Sequence, residues 1–295
     1  MPHKRIDQKT SRTAEWTCIS RAASALEADG PYRGDDHLAL RLIPGLLKTG
    51  LQIPWVRRFF MRVMAPKGIY EYTIARTKYM DGVYQEALAK GFDQILIFGA
   101  GFDTRALRFE RESGHTRIFE VDAAVTQAAK LGRYKEKGIE VPARVCFIAM
   151  DFDRESLVDK LEAAGFQKGG RTLFMMEGLL MYLDPASVKK TFQTICDCAG
   201  KGSELVFDYV RAEVFRNPQG IYGGAEILKS TSKAGETWRF GMDEDQIALF
   251  LEPYGLTLMD HKNAEDLKKQ YFTERPGKMP GPINTAHNLV RAEKI

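Results

Sequence analysis

The spacing of hydrophobic residues changes near residue 91. Upstream of that point, apolar residues recur every three or four positions, which is the period of a helix with one buried face. The members of one such face are Trp16, Ile19, Ala23 and Leu26. Residues 70–90 are interpreted in the same way as one long helix. We therefore expect residues 1–90 to form a helical cap or lid.

From residue 91 onward, short β-rich segments alternate with helical ones. Five segments are apolar on both faces, as central parallel strands between layers of helices are. They span residues 94–98, 117–121, 144–149, 172–176 and 204–209. Between the last two, residues 185–199 read as a helix that Asp184 caps. The alternation predicts a doubly wound α/β sheet over residues 91–295, with 256–261 and 286–291 as a terminal antiparallel pair.

One segment of the helical region allows more than one interpretation. Residues 51–64 place aromatic and apolar side chains, among them Trp55 and Phe59, between Arg57, Arg58 and Arg62. This composition suits a lid, a helix lying on a membrane surface, or ordinary core packing. Because the basic residues are few, we favour core packing or a lid.

Composition narrows the class of protein. Of the 295 residues, 44% are hydrophobic and 28% are charged, which excludes a disordered or fibrous chain. The net charge of +4 is too small to indicate nucleic-acid binding. The four cysteines form no Cys-x-x-Cys pair, and no residues show metal-ligand spacing. With no secretory signal or long apolar run in view, we expect a cytoplasmic protein without metal, nucleic-acid or membrane partners.

The candidate chemistry follows the strands, because ligands of such sheets bind outside the carboxyl ends of the strands. A glycine loop containing Asp103 follows the first strand, and an acidic residue follows each of the next three. In chain order the positions are Gly99, Ala100, Gly101, Asp103, Asp122, Asp151 with Phe152, and Glu177.

This loop does not suit a dinucleotide. The third small residue of the dinucleotide fingerprint is replaced by Thr104, and Asp103 would repel a pyrophosphate at the following helix N-terminus. An acidic rim suits a cation, and S-adenosylmethionine carries a sulfonium and an amino group. Asp122, 21 residues after Gly101, is placed to bind ribose hydroxyls. Helix capping is the alternative role for Asp103 and Asp122.

Several motifs, taken in order, resemble the leucine carboxyl methyltransferase family, which includes bacterial O-methyltransferases of polyketide and other secondary pathways. They are TAEW at 13–16, RAASALE at 21–27, ARTKYMD at 75–81, FGAGFDTRA at 98–106, FEVD at 119–122, MDFD at 150–153 and MEGLLMYL at 176–183. The resemblance covers nearly the whole chain. It implies a class I methyltransferase fold, a Rossmann-like seven-stranded sheet with extra N-terminal helices, that binds S-adenosyl-L-methionine.

The resemblance also implies roles for single residues. Gly99, Ala100 and Gly101 would let the backbone approach the methionine part of the cofactor, with Asp103 beside it. Arg76 would hold the cofactor carboxylate and that of a substrate, and Asp122 would hold the ribose. The remaining assignments are Asp151 and Phe152 at adenine, Glu177 at the methionine end, and Tyr182 near the substrate.

The hypothesis from the sequence is an S-adenosylmethionine-dependent O-methyltransferase of a small molecule. A carboxylate acceptor is favoured over a phenol because a carboxylate is already ionised and the chain has no obvious His/Asp catalytic pair. We expect the N-terminal helices and residues 211–240 to line the acceptor cavity, with Tyr209, Phe215, Tyr222 and Trp238 making it aromatic. The alternatives are a protein carboxyl methyltransferase, a nicotinamide-dependent oxidoreductase and a non-catalytic cofactor-binding protein.

Overall fold

The computed structural model describes residues 10–150, 155–272 and 281–295. The helices are α1 Arg12–Ala25, α2 Ala39–Leu42, α3 Gly45–Gln52, α4 Pro54–Val63, α5 Ile69–Ala89, α6 Arg105–Arg108, α7 Ala124–Glu136, α8 Leu157–Ala163, α9 Pro185–Cys198, α10 Glu213–Arg216, α11 Gly224–Ala234, α12 Ile247–Leu251 and α13 Ala264–Tyr271. The strands are β1 Gln94–Phe98, β2 Arg117–Asp122, β3 Val145–Ala149, β4 Thr172–Met176, β5 Glu204–Val210, β6 Leu256–Lys262 and β7 His287–Lys294.

These strands form one sheet in the order β3-β2-β1-β4-β5-β7-β6. The first five run parallel, and β7 runs antiparallel to both β5 and β6. The strand order reverses between β1 and β4, which makes that point the expected ligand crevice. The five predicted strands and the terminal antiparallel pair are therefore confirmed, as is the α9 helix with Asp184 as its N-cap.

The sheet is covered on both faces because its central strands carry apolar side chains on both sides. In β1, Ile95 and Ile97 belong to one buried cluster, whereas Leu96 and Phe98 belong to a second. The first cluster includes residues of α1 and α5, and the second includes residues of α9 and α12. The alternating side chains of one strand thus hold two helical layers together.

The long helix that the sequence predicts upstream of β1 is confirmed as α5, and α1 is present. The predicted face of α1 is confirmed in part, since Ala23 is buried and Trp16, Ile19 and Leu26 are half-buried against the same core cluster. The most deeply buried side of the helix also includes Cys18 and Ala22. The buried side is the one that packs on α2 and α5. The division of the chain into a cap and a binding domain at residue 90 stays a prediction.

Residues 51–64 do not form one core-packed helix. Pro54 begins a new helix, α4, directly after α3. Trp55, Phe59 and Met64 are 72%, 62% and 62% exposed, so the core-packing interpretation is wrong for them. Only the inner side of α4, with Arg57 and Met61, is buried. Among the described residues, no helix has the length and apolarity needed to cross a bilayer.

Candidate active site

A cavity of about 770 Å³ opens at the carboxyl edge of the sheet, beside the point where the strand order reverses. Its floor is formed by the loops after β1, β2 and β4, and its other walls come from α1, α5 and residues 227–239. The structure brings together, in this one wall, the predicted residues Arg76, Gly99, Ala100, Gly101, Asp103, Asp122, Glu177 and Tyr182. The predicted adenine contacts, Asp151 and Phe152, lie outside the described residues.

The glycine loop is in close contact with the helical region above it. Gly99 and Gly101 have φ angles of +60° and +50°, a backbone conformation that favours glycine. A Cβ atom on Gly101 would lie 3.0 Å from the Cβ of Ala14 in α1, and one on Gly99 would lie 3.1 Å from Leu179. Glycine is therefore needed here for two reasons, the turn itself and the close approach of α1.

Asp122, the last residue of β2, holds the glycine loop against the end of its strand. Its carboxylate accepts hydrogen bonds from the backbone N–H groups of Gly101 and Ala123. Burial raises the pKa of Asp122 and outweighs the lowering effect of these two hydrogen bonds. The carboxylate lines the cavity next to the loop, where the sequence places the ribose. The alternative role of Asp122 as a helix cap is not observed, since α7 has Ala123 as its N-cap.

Two arginines neutralise the acids that the sequence presents as a negative rim. The guanidinium of Arg76 lies 2.7 Å from Asp208 and 3.1 Å from Glu177. Arg105 forms ion pairs with Glu177, at 2.8 Å, and with Asp103. The rim is therefore less negative than the sequence suggests, because these charges are balanced within the protein.

The pKa values of the paired acids reflect this network. Burial raises the pKa of Asp103, but the charges of Arg105 and Lys130 outweigh it and bring the pKa down to about 2. The pKa of Glu177 is also lowered, because Arg105 and Arg76 together outweigh its burial. Both carboxylates are therefore ionised and bound, and neither is available as a base near neutral pH.

Asp208 is a member of this network that the sequence analysis did not find. It lies in β5, is fully buried, and accepts hydrogen bonds from Tyr72, Arg76 and the backbone N–H of Gly178. An aspartate within an apolar strand could have revealed it, since a buried carboxylate requires partners and therefore indicates a polar network. Asp208 fixes Arg76 and the loop after β4 in one arrangement.

The opposite end of the cavity is built by α1 and the segment after α11. Glu236 accepts hydrogen bonds from the backbone N–H groups of Arg12 and Thr13, which are the first residues of α1. The hydroxyl of Tyr182 lies 3.5 Å from that of Thr13. Both Tyr182 and Trp238 line the cavity. This end therefore depends on residues far apart in the chain.

His287 also lines the cavity, although the sequence analysis placed no histidine there. Because β7 is antiparallel to β5, its first residue pairs with Val210 and reaches the carboxyl edge of the parallel strands. The amide of Asn284 donates to the carbonyl of Lys67, so its oxygen faces the Nδ1 of His287 at 3.2 Å. Nδ1 therefore carries the proton and Nε2 the lone pair. Burial and the charge of Arg76 lower the pKa of His287 to about 3.

The aromatic lining is smaller than the sequence predicts. Of the four expected aromatic residues, Trp238 lies in the wall, whereas Phe215 and Tyr222 are 40% and 39% exposed and lie elsewhere. Tyr209 packs in the second core cluster and its hydroxyl lies 2.9 Å from His261. Three of the four aromatic residues therefore lie outside the cavity wall. The aromatic composition of a segment does not show whether its rings line a cavity or pack elsewhere.

The doubly wound sheet, the glycine loop at its switch point and the carboxylate at the end of β2 define a class I S-adenosylmethionine-dependent methyltransferase. A model of the family described as leucine carboxyl methyltransferase matches residues 14–196, more than half of the chain. The chain therefore belongs to the leucine carboxyl methyltransferase family, and the alternative of a nicotinamide-dependent oxidoreductase is set aside.

Relatives and solved structures agree with this assignment. A protein of Mycobacterium marinum, named as an S-adenosyl-L-methionine-dependent methyltransferase, is 30% identical over 256 residues, which cover 84% of this chain and 79% of its own. YktD of Bacillus subtilis, named in the same way, is 27% identical over 75% of this chain and 72% of its own. A crystal structure of a DUF574 family protein from Streptomyces avermitilis shares the fold, with a TM-score of 0.59, 14% identity and coverage of 99% and 100%.

The residues of the cavity fit S-adenosylmethionine. The Nε of Arg76 and the Oε2 of Glu177 are buried and have ion-pair contacts without a hydrogen-bond partner among the described residues. These atoms suit the carboxylate and amino groups of the cofactor's methionine end, and Asp122 suits its ribose hydroxyls. When bound, the cofactor supplies a methyl group on a positively charged sulfur.

Proposed function

We propose that this methyltransferase esterifies the carboxylate of a small molecule. The observation that supports this acceptor is the protonation state of the cavity wall. The carboxylates of the described wall are either paired with arginines or, like Asp122 and Glu236, accept hydrogen bonds from backbone N–H groups, so none is placed as a free base. A carboxylate needs no such base because its pKa is about 4, whereas a phenol with a pKa of about 10 requires one.

Each candidate base is unsuitable for a physical reason. Asp103 and Glu177 are held as ions by arginines. His287 binds a proton only near pH 3. Burial raises the pKa of both Tyr72 and Tyr182, so their hydroxyls stay protonated and act as hydrogen-bond donors. A wall of this kind can orient an acceptor that is already ionised.

The rim of the cavity also favours an anionic acceptor. Arg12, Lys233 and Arg239 contribute to the wall and are exposed to solvent. The acidic wall residues, in contrast, are buried or half-buried. Exposed cations around a cleft attract anions and raise the rate of their association, with a strong dependence on ionic strength.

In this proposal the protein acts mainly through orientation. α1 and the segment around Glu236 close over the bound molecules and exclude water, while Tyr182 and Thr13 provide hydroxyls at the acceptor end. The Arg76–Asp208 pair fixes the floor of the cavity. Holding the reacting atoms at about 3 Å contributes several kcal/mol, up to about 7–11 in the best cases. A cavity of about 770 Å³ has the size of a small-molecule site, which favours a small molecule over a protein or nucleic acid.

A transfer assay with S-adenosylmethionine labelled in its methyl group tests the acceptor class. Pairs of acceptors that differ only in a carboxylate or a hydroxyl on the same ring are compared. Label that mild base releases as methanol identifies an ester, whereas an ether keeps it. The proposal expects base-labile product from the acids; label transfer confined to the hydroxyl partners would refute it.

A pair of lysines on one helix provides the matched control. Lys233→Gln removes a rim cation and should lower kcat/KM for a carboxylate acceptor several-fold at low salt, with less effect at high salt. Lys229 is an exposed residue of the same helix outside the cavity wall, so Lys229→Gln should leave kcat/KM unchanged. Equal effects of the two substitutions would exclude rim steering.

We further propose that the enzyme acts in the cytoplasm, since its four cysteines are free.

A further inference from the structure

The surface formed by α3 and α4 has an unusual composition. On the outer side of α4, Trp55, Phe59 and Val63 follow one another at intervals of four residues and are 72%, 62% and 59% exposed. Leu46 in α3 and Ile53 between α3 and α4 are also exposed, by 93% and 44%. Isolated exposed apolar residues are normal, but a continuous stripe with two aromatic rings marks an interaction surface. We call it the α3–α4 surface.

The charges on this surface all have the same sign. Residues 45–64 contain no aspartate or glutamate. Lys48, Arg58 and Arg62 are exposed, and Arg58 and Arg62 alternate with Trp55 and Phe59 along the helix. None of these three cations forms a salt bridge within the described part of the chain. The α3–α4 surface is therefore both apolar and positively charged.

The same surface of a second copy does not complement this one. A twofold contact between two α3–α4 surfaces would bring arginines towards arginines, with no acidic residue in the segment to balance them. The surface of a bilayer with anionic lipids offers what is required, an apolar layer for the rings and negative headgroups for the cations.

We propose that the α3–α4 surface docks the protein onto membranes that contain anionic lipids. Trp55 and Phe59 enter the interface between headgroups and acyl chains, and Arg58 and Arg62 contact the phosphates. This docking revises the expectation, drawn from the sequence, that the protein has no membrane partner. It does not depend on which acceptor is methylated.

The docking surface is continuous with the cavity. Met64, the residue that caps the end of α4, is 62% exposed and is also part of the cavity wall. Pro66 and Ile69, which follow it, line the cavity as well. A docked protein therefore presents an entrance of its cavity close to the bilayer, where an acceptor with an apolar body is concentrated.

Vesicle binding by the full chain tests the proposal. Vesicles of phosphatidylcholine alone are compared with vesicles that also contain phosphatidylserine, by co-sedimentation and by tryptophan fluorescence. We expect binding to the anionic vesicles, weaker binding at high salt, and a blue shift that Trp55→Phe abolishes without abolishing sedimentation. Trp16 and Trp238 are more buried than Trp55, so Trp55 is expected to report most of the change.

Two variants separate the apolar and charged contributions. The double substitution Arg58→Gln/Arg62→Gln should weaken binding to anionic vesicles about 25-fold, at roughly a fivefold loss for each cation. The double substitution Trp55→Ser/Phe59→Ser should weaken it by at least about tenfold. Lys189 and Lys190 are exposed on α9, and Lys189→Gln/Lys190→Gln is the control for net charge.

Three outcomes would overturn the proposal. The first is failure of the folded wild-type protein to bind anionic vesicles. The second is equal weakening by the α4 and α9 charge variants, which would show non-specific attraction. The third is a concentration-dependent dimer in solution that Trp55→Ser/Phe59→Ser dissociates, which would make the surface an interface between two copies.

Discussion

The close approach of α1 to the glycine loop is tested by a single methyl group. Gly101→Ala introduces a Cβ atom 3.0 Å from the Cβ of Ala14, whereas carbon atoms in ordinary contact are about 3.5–4.0 Å apart. Gly114 has nearly the same φ, +51° against +50°, but a Cβ there meets no atom within 4 Å. Gly114→Ala therefore has the same backbone strain without the steric contact.

The two substitutions should differ in cost. Both place alanine in the left-handed region, at about 1–2 kcal/mol. Gly101→Ala adds the cost of overpacking, about 1–3 kcal/mol, because α1 must move away from the loop. We expect losses in the free energy of unfolding of about 1–2 kcal/mol for Gly114→Ala and about 2–5 kcal/mol for Gly101→Ala.

Urea unfolding measures these losses, and isothermal titration with S-adenosylmethionine measures the effect on binding. Gly101→Ala should weaken cofactor binding at least about tenfold, and Gly114→Ala should leave the Kd unchanged. The double variant Gly101→Ala/Ala14→Gly removes the steric contact and should recover part of the binding. Equal losses for the two alanine variants, or no recovery in the double variant, would refute the close contact between α1 and the loop.

Three further predictions follow from the site. Asp122→Asn replaces one acceptor oxygen by a donor facing a backbone N–H and should weaken cofactor binding by about 1–3 kcal/mol. Asp184→Asn changes a helix cap outside the cavity wall and should not weaken it. Calorimetric Kd values for the two variants that agree within twofold would exclude a role of Asp122 in binding. Glu236→Ala should speed hydrogen exchange at the amides of Arg12 and Thr13 by about tenfold or more, and unchanged protection would contradict its part in holding α1. The pKa of His287 is about 3 in the folded protein, against 6.5 for an ordinary histidine. Between these two pH values the unfolded chain binds a proton that the folded protein does not, so protonation favours the unfolded state. Stability should therefore fall with decreasing pH below about 6.5, by up to about 1.4 kcal/mol per pH unit, and His287→Gln should flatten this slope in urea unfolding at a series of pH values.

Local patterns in the sequence were sufficient for the elements of the sheet. β1 and β4 were predicted at their observed bounds because one polar residue followed by a run of four apolar residues reads as a buried strand. Asp184 and Pro185 fixed the start of α9 in the same way. These features are decided by residues within a few positions of one another.

The predicted site residues also came from local signals combined with one topological rule. The glycine loop, Asp122 and Glu177 lie together because parallel strands end at one edge of the sheet, whereas Arg76, which the family resemblance implied, reaches them from α5. His287 and Asp208 were missed although the same rule extends to them. The start of an antiparallel strand reaches the same edge, and a carboxylate within an apolar strand requires partners.

The charge state of the site could not be predicted from the sequence. Asp103 and Glu177 read as free negative groups. Arg105 is only two residues from Asp103, but it was the fold that brought Arg105 and Arg76 to Glu177. In the same way, the helical period of residues 51–64 was visible, but not which side of the helix would face solvent.

The sequence by itself therefore determined the order and type of the elements and the loops that carry the chemistry. The tertiary structure decided which charges are neutralised, which histidine enters the cavity and which apolar face remains exposed. The physical reason is the range of the interactions. Secondary structure follows from neighbours in the chain, whereas ion pairing and burial depend on side chains that are distant in sequence and meet only after folding.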